Sequence, residues 1–401
     1  MGRLTGSLPT MTSSPTTLPP APGTTGRRRR WPAVVLVLVL VIVVGMVVAN
    51  RVTLSYYALV PGRAQPVAGL ITVPAAHDHR LHGTILLTDV GVEQVTALQY
   101  LPDRLWRTAT TVVPTSDLTG GLPASEFALQ GTVDMEESQM TAEAVALRQM
   151  GYAVPETDVG VVLYAIIPGT PAYRSLAVGD VVTAVDGVPV RSPSALVAAV
   201  RAHRPGQQVT LSVGTVTSPT RTHPVTVRLS GQRQGNTVEP ILGIPYSQLP
   251  GSSGMGTQAV YDFPFHVTLS ADGIGGPSAG LAFTLGLLDR LSGGELTGGR
   301  IVAATGTIDP TGAVGEIGGL PQKTVAVERA HATVFLVPAA QVAQAQAHAT
   351  SGLTVLGVTS LQQALSDLRR LGGHLGAAGN GPPAGPTGHA VPAEWQSAPW
   401  S

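Results

Sequence analysis

From Trp31 to Asn50 the chain carries no charge, and the run Ala33–Ala49 is apolar on every side. As a helix rising about 1.5 Å per residue it reaches roughly 25 Å, short of the hydrocarbon thickness but extendable by its flanks. Trp31 suits one membrane interface and Arg51 the other. Four arginines, Arg27–Arg30, predict that the N-terminal side stays cytoplasmic and that everything after Arg51 is extracytoplasmic. A cleaved signal peptide shares the charged start and apolar middle, but no Ala-x-Ala site follows, so an anchor over 31–50 is the better reading. A buried core helix fits poorly beside a solvated arginine block. Residues 1–30, rich in Pro, Thr, Ser and Gly, are expected to form a disordered cytoplasmic tail, and 373–401 a second disordered tail.

The remainder of the 401 residues is long enough for two or three domains. With 24 basic against 24 acidic side chains the formal net charge is zero, so no global field favours nucleic acid. The absence of cysteine excludes disulfides, thiolate metal sites and cysteine nucleophiles, and permits an oxidising compartment. Of the 24 basic residues only Lys323 is a lysine. A Walker A loop is thereby excluded, and no cofactor is expected. A lone lysine among arginines suggests a role that a guanidinium cannot fill, because lysine can lose its proton when desolvated.

Three segments, VAGLITV from Val67, HGTILLTDV from His82 and TATTVVP ending at Pro114, read as strands. Residues 134–150 switch to helical period, with Met135, Met140, Ala144 and Leu147 on one side. His77, His79 and His82 have metal-like spacing on a loop, but no acidic ligand set closes a site, so no metal is assigned. In residues 160–213 short strands, a Pro-Gly turn, an Asp186-Gly187 hairpin turn and a helix over Ser192–His203 alternate. The strings PGTPA, VGDVV and VDGVPV make residues 151–230 resemble a PDZ domain, which binds a peptide as an added strand with its terminal carboxylate on a loop of backbone amides. On that resemblance Gly151, Tyr152, Ala153 and Val154 are the candidate carboxylate loop, although an ordinary helix-to-strand connection explains them equally.

The chemistry-bearing segment is 264–323. Phe265, Val267 and Leu269 alternate with His266, Thr268 and Ser270, a half-buried strand running into the loop ADGIGGPSAG. Ser278 then precedes a helix from Ala279 to Leu291, where unpaired amides and the helix dipole suit a nucleophile and a developing oxyanion, or simply an N-cap. Lys323 sits in VGEIGGLPQKTVAVERA, a glycine turn leading into a helix, and could serve as general base to a hydroxyl. A Ser278–His266–Asp272 triad is the rival catalyst, but it leaves the solitary lysine unexplained. The stretches RIVAATGTI over 300–308 and TVFLV over 333–337 read as buried strands, with a further strand and helix over Leu353–Val358 and Leu361–Leu371.

Gly276–Gly280 with Ser278, Thr305-Gly306, and Gly318-Gly319-Leu320 with Lys323 together resemble the Lon-type serine peptidases. That resemblance implies Ser278 as nucleophile, Lys323 as general base and later acid, and Thr305 as the hydroxyl orienting the amine. Gly276, Pro277 and Ala279 would shape the oxyanion loop. Where many Lon proteins have Asp three residues before the serine, this chain has Gly275, with Asp272 on the same loop. Membrane segment, PDZ and peptidase in one chain resemble the YlbL-type PDZ-Lon proteins of Gram-positive bacteria, and ring assembly of identical copies is implied by the Lon resemblance alone. The expected fold class is α+β: a Lon-type peptidase domain over 240–371 plus a PDZ β-sandwich or barrel over 151–230, preceded by one transmembrane helix. Residues 65–150, whose Met135-Glu136-Glu137-Ser138 resembles an upstream Lon helix, are expected to be the first part of that peptidase domain. The function expected is ATP-independent endoproteolysis of exposed segments of extracytoplasmic or membrane proteins, with C-terminal tails taken by the PDZ. The competing class is a non-catalytic PDZ scaffold.

Overall fold

The uncharged run forms one helix, α1 (Trp31–Arg51), in which Ala33–Arg51 is a candidate membrane span. It is long and apolar enough to cross a membrane, a property it shares with signal sequences. The computed structural model describes residues 2, 31–105, 109–246, 254–271, 273–293 and 295–376. Apart from residues 2 and 373–376, the two expected tails lie outside the described residues, as does Asp272.

A separate unit begins at Thr53. It opens with β1 (Thr53–Pro66), β2 (Ile71–Thr72), β3 (Thr84–Thr96), α2 (Tyr100–Leu105), β4 (Thr111–Pro114), α3 (Thr115–Thr119) and the long α4 (Ala124–Gln149). Next come β5 (Glu156–Leu163), β6 (Asp180–Val185), β7 (Val188–Pro189), α5 (Pro193–Arg201), β8 (Gln208–Thr215), β9 (Ser218–Arg228), β10 (Ser230–Gln234), β11 (Thr237–Ile241) and β12 (Met255–Tyr261). The chain closes with β13 (Thr268–Leu269), α6 (Gly280–Leu291), β14 (Ile301–Ala304), β15 (Thr307–Ile308), β16 (Val314–Gly315), α7 (Leu320–Arg329), β17 (Val334–Pro338), α8 (Val342–Gln346), β18 (Thr354–Val358) and α9 (Leu361–Arg370).

Two sheets organise this unit. The first runs β18-β17-β14-β3-β1-β4, and β3, β14, β17 and the edge strand β18 are mutually parallel. Their alternation assigns side chains to two faces. Ile85, Leu87, Val302, Ala304, Val334 and Leu336 meet α4, α6 and α9 in one core. Leu86, Ala303, Phe335 and Val337 meet Leu320 and Val327 of α7 and Ala345 of α8 in another. Burial on both faces explains why these strands read as continuous apolar runs rather than as alternating ones.

The expected boundaries shift in three places. The unit starts at Thr53, not 65, because β1 passes through Pro61-Gly62-Arg63 as a bulge: Pro61 pairs with Val90 and Ala64 with Thr88. A Pro-Gly pair reads as a turn, whereas here the bulge keeps the strand paired. Of VAGLITV only Ile71–Thr72 is strand. Val67–Leu70 is a 3₁₀ turn that brings Val67 and Ile71, both buried, onto one side against α6, where Gly286 leaves room for Val67. The expected strand before the serine loop keeps its alternating burial but is paired as a ladder at Thr268–Leu269, with the Ser270 amide bonded to Leu70 O beyond it, since its partner β2 is two residues long.

The second sheet runs β12-β5-β6-β8-β9, with β7 on β6. Asp186 and Gly187 both take positive φ, as a two-residue hairpin turn requires. Helix α5, capped by Ser192 accepting from the Ala195 amide at 3.2 Å, covers a core of Leu163, Val182, Leu196, Val200 and Leu211. Met255–Tyr261, expected with the peptidase core, pairs antiparallel with β5, and Met255 joins this second core.

Helix α4 serves both halves. Met135, Ala142, Val145 and Leu147 enter the first core, while Val133 and Met140 pack against Val162 and Val181 of the second sheet. It also carries Glu143, a buried carboxyl that burial pushes up to about 8. Its ordinary value is near 4.5, so between those values the native state holds a proton that the unfolded chain releases, and stability falls as pH rises through that window. Asp134, raised to about 6, and Glu137, raised to about 7, act in the same direction. Glu143→Gln is therefore expected to raise the thermal midpoint by at least about 3 °C near pH 8.5 and to change it little near pH 5. Melting curves at the two pH values check this; an equal shift at both would contradict it.

Candidate active site

The parallel strands end together on one side of the first sheet, where β14 breaks at Thr305-Gly306, Gly306 taking φ +151°. Thr305 is fully buried at that break, its amide bonded to Leu336 O at 3.0 Å. The stretch 300–308, expected as one strand, is thus two, and the interruption turns the Thr305 hydroxyl into the space between the layers.

Ser278 arrives from one face. Gly276, at φ +88°, ends the glycine loop, and Pro277–Ala279 form a 3₁₀ turn continuous with α6. The helix proper starts one residue later than expected. The Gly276 amide is committed to Gly131 O at 2.7 Å and Pro277 has no amide, so their contribution is the turn itself. Ser278 O accepts from Gly306 N at 3.0 Å and from Thr305 Oγ1 at 3.2 Å, which fixes the serine backbone while leaving its side chain partly exposed.

Lys323 arrives from the opposite face. Gly319 caps α7 in the left-handed region, and a Cβ there would lie 2.5 Å from Val90 Cγ2. Glycine is thus required both by the turn and by the close approach to β3. One turn on, Lys323 is 3% exposed, and its Nζ lies 2.6 Å from Ser278 Oγ and 3.1 Å from Thr305 Oγ1. Burial pulls the amine from its ordinary 10.5 down to about 7, against the opposing pull of the Asp89 carboxylate. Nζ donates to both hydroxyl oxygens, and since the Thr305 proton points to Ser278 O, the threonine is held as an acceptor toward Nζ.

This arrangement can move a proton from an alcohol to an amine at neutral pH, the first requirement of acyl transfer. The residues 255–368 match the Lon protease (S16) C-terminal proteolytic domain, and residues 148–214 match the PDZ domain. This pairing fits a PDZ-Lon protein. It joins a protease domain of Lon type to a PDZ domain, both of which imply peptide or protein binding. No curated protein matches the sequence. Among solved structures, the PDZ domain of the SdrC-like protein from Listeria monocytogenes is 21% identical, with 22% of this chain and 86% of that one covered and a TM-score of 0.19. The corresponding domain from Listeria innocua is 19% identical, with 21% and 89% covered and a TM-score of 0.18. A solution structure from Geobacillus thermodenitrificans is 25% identical, with 20% and 88% covered and a TM-score of 0.17.

Elsewhere in the chain the other candidate residues separate. Gly151–Val154 is not an open carboxylate loop: Gly151 ends α4 at φ +87°, Tyr152 packs edge-on against Phe265 at 5.4 Å, and Val154 is buried in the first core. Apolar side chains need burial more than that segment needs to face a ligand, and the connection reading prevails. An open cleft lies instead between α5 and β11, lined by Leu196, Val200, Arg233, Ile241 and Met255. His266 is 3.2 Å from Thr268 Oγ1 on its own segment, so it is turned to its neighbour rather than to Ser278. His77 stacks on Phe265 at 4.3 Å, whereas His82 is 3.4 Å from Glu295, so the loop histidines diverge. Two contributors escaped the sequence. Asp89 lies 234 positions before Lys323 and carries no motif, and Ser138, though inside a recognised helix motif, showed no sign that its Oγ donates to Pro277 O at 3.0 Å.

Proposed function

We propose that the chain is an ATP-independent serine endopeptidase, anchored by α1 with its catalytic region extracytoplasmic, that cleaves exposed segments of extracytoplasmic or membrane proteins through a Ser278–Lys323 dyad. The observation that carries this reading is the 2.6 Å approach of a buried amine to a partly exposed hydroxyl. Neutral Lys323 takes the Oγ proton as Ser278 attacks the peptide carbonyl. The amides of Ser278 and Ala279 receive the oxyanion, and the protonated amine then passes its proton to the leaving nitrogen. Water repeats the sequence to release the acyl group. Thr305, accepting from Nζ, keeps the lysine nitrogen in place in both its neutral and its protonated state.

On this reading the peptidase domain is discontinuous. β1, β3 and β4 share a sheet with β14, β17 and β18, and the PDZ match lies between them in sequence. The cleft beside α5 would take the C-terminal tail, in place of Gly151–Val154. A fluorophosphonate probe, which labels activated serines, is expected to label the wild type at Ser278 and to leave folded Ser278→Ala and Lys323→Met unlabelled. A folded but unlabelled wild type would instead establish the non-catalytic scaffold.

A further inference from the structure

Helix α4 grips the serine loop at two points. Gly131 O accepts from the Gly276 amide at 2.7 Å, and Ser138 Oγ donates to Pro277 O at 3.0 Å. The fit is close: a Cβ on Gly275 would stand 3.2 Å from the Gly131 carbonyl carbon, and one on Gly280 would stand 2.9 Å from Ser138 Oγ. Because the helix backbone is rigid, a shift of α4 along or about its axis moves the peptide plane just before Ser278.

The same helix is held on its other side by the second sheet. Next to Ser138, Glu137 Oε2 accepts from Tyr164 Oη at 2.7 Å. Tyr164 follows β5 directly, and its amide is bonded to Gly254 O at 2.8 Å. Its ring lies against β12, where a Cβ on Gly256 would come within 2.7 Å of the phenol oxygen. Met255, between those two glycines, lines the cleft beside α5. Tyr173 donates likewise to Glu126 near the start of the helix. Cleft wall, tyrosine, glutamate and serine loop therefore form one run of direct contacts.

We infer that Tyr164 and Glu137 are positioning residues that set the Ser278 loop through α4, so that the strand bordering the PDZ cleft and the nucleophile are held in register. The inference rests on the proposed dyad for its catalytic consequence, but the coupling itself can be measured without proteolysis. Losing the phenol–carboxylate bond frees α4 to shift on the valines beneath it, and the two grips on residues 276 and 277 loosen together. Neither residue touches the reacting atoms.

The test is made on the full chain. In Tyr164→Phe and Glu137→Ala, hydrogen exchange at the Gly276 amide is expected to rise at least about tenfold, and fluorophosphonate labelling of Ser278 to slow by a similar factor. Glu137→Gln keeps an acceptor for the phenol and should stay near wild type in both. Val181→Ala loosens the same interface without touching the bond and should leave Gly276 protected. Unchanged Gly276 exchange in folded Tyr164→Phe and Glu137→Ala would overturn the inference, as would equal loosening in Val181→Ala. If exchange responds as expected while even the wild type resists labelling, the coupling stands and the catalytic reading alone fails.

Discussion

Ser278→Ala and Lys323→Met are each expected to lower peptide hydrolysis by about 10⁴-fold or more, with the double variant no worse than the poorer single one. In the proposed dyad nucleophile and base act as a unit: with the amine gone the hydroxyl keeps its proton, and with the hydroxyl gone the amine has nothing to deprotonate. Lys323→Arg is expected to be as inactive as Lys323→Met, since a guanidinium stays charged at any working pH. Unfolding is not the cause, because methionine replaces a buried amine with an apolar chain of similar length and should leave the thermal midpoint equal or higher. Initial rates on an unstructured peptide, with melting curves alongside, decide the matter. Either single variant retaining a tenth of wild-type activity would remove that residue from the chemistry.

The second large effect is on pH. Only the neutral amine can accept the serine proton, and burial holds Lys323 near 7. Below that value kcat/KM should fall about tenfold per pH unit, so that near pH 5 about 1% of the activity remains. Above it the profile should level off. Asp89 favours the charged amine, so Asp89→Asn should move the inflexion to lower pH and leave the plateau in place. A profile flat from about pH 5 to 9 would reject lysine as the base.

Much of the site was legible because its parts are local. Gly276, Ser278, Thr305, Gly319 and Lys323 each sit in a short segment whose backbone needs are written in glycine and proline, and a single lysine among arginines is visible in composition. The fold was less legible wherever long-range pairing decided the outcome. β1 reads as a turn at Pro61-Gly62 because only its partner β3 reveals the bulge. β12 lies close to the serine loop in sequence, yet its free edge is completed by β5. Gly151–Val154 had the spacing of a ligand loop, but nothing in four residues announces that Phe265 will claim Tyr152. Asp89 had no local mark at all, since its influence on Lys323 exists only once β3 and α7 are packed together.

The order of strands in the first sheet has a consequence for biosynthesis. Thr84 on β3 pairs with Ile301 on β14, so the early strands are synthesised long before their neighbours exist, and the whole PDZ segment emerges in the interval. Ser278 and Lys323 are made only after the PDZ segment, so the sheet whose two faces carry them cannot close until β14 and β17 have joined β3. Closure across so long a stretch of chain is a slow, late event in folding.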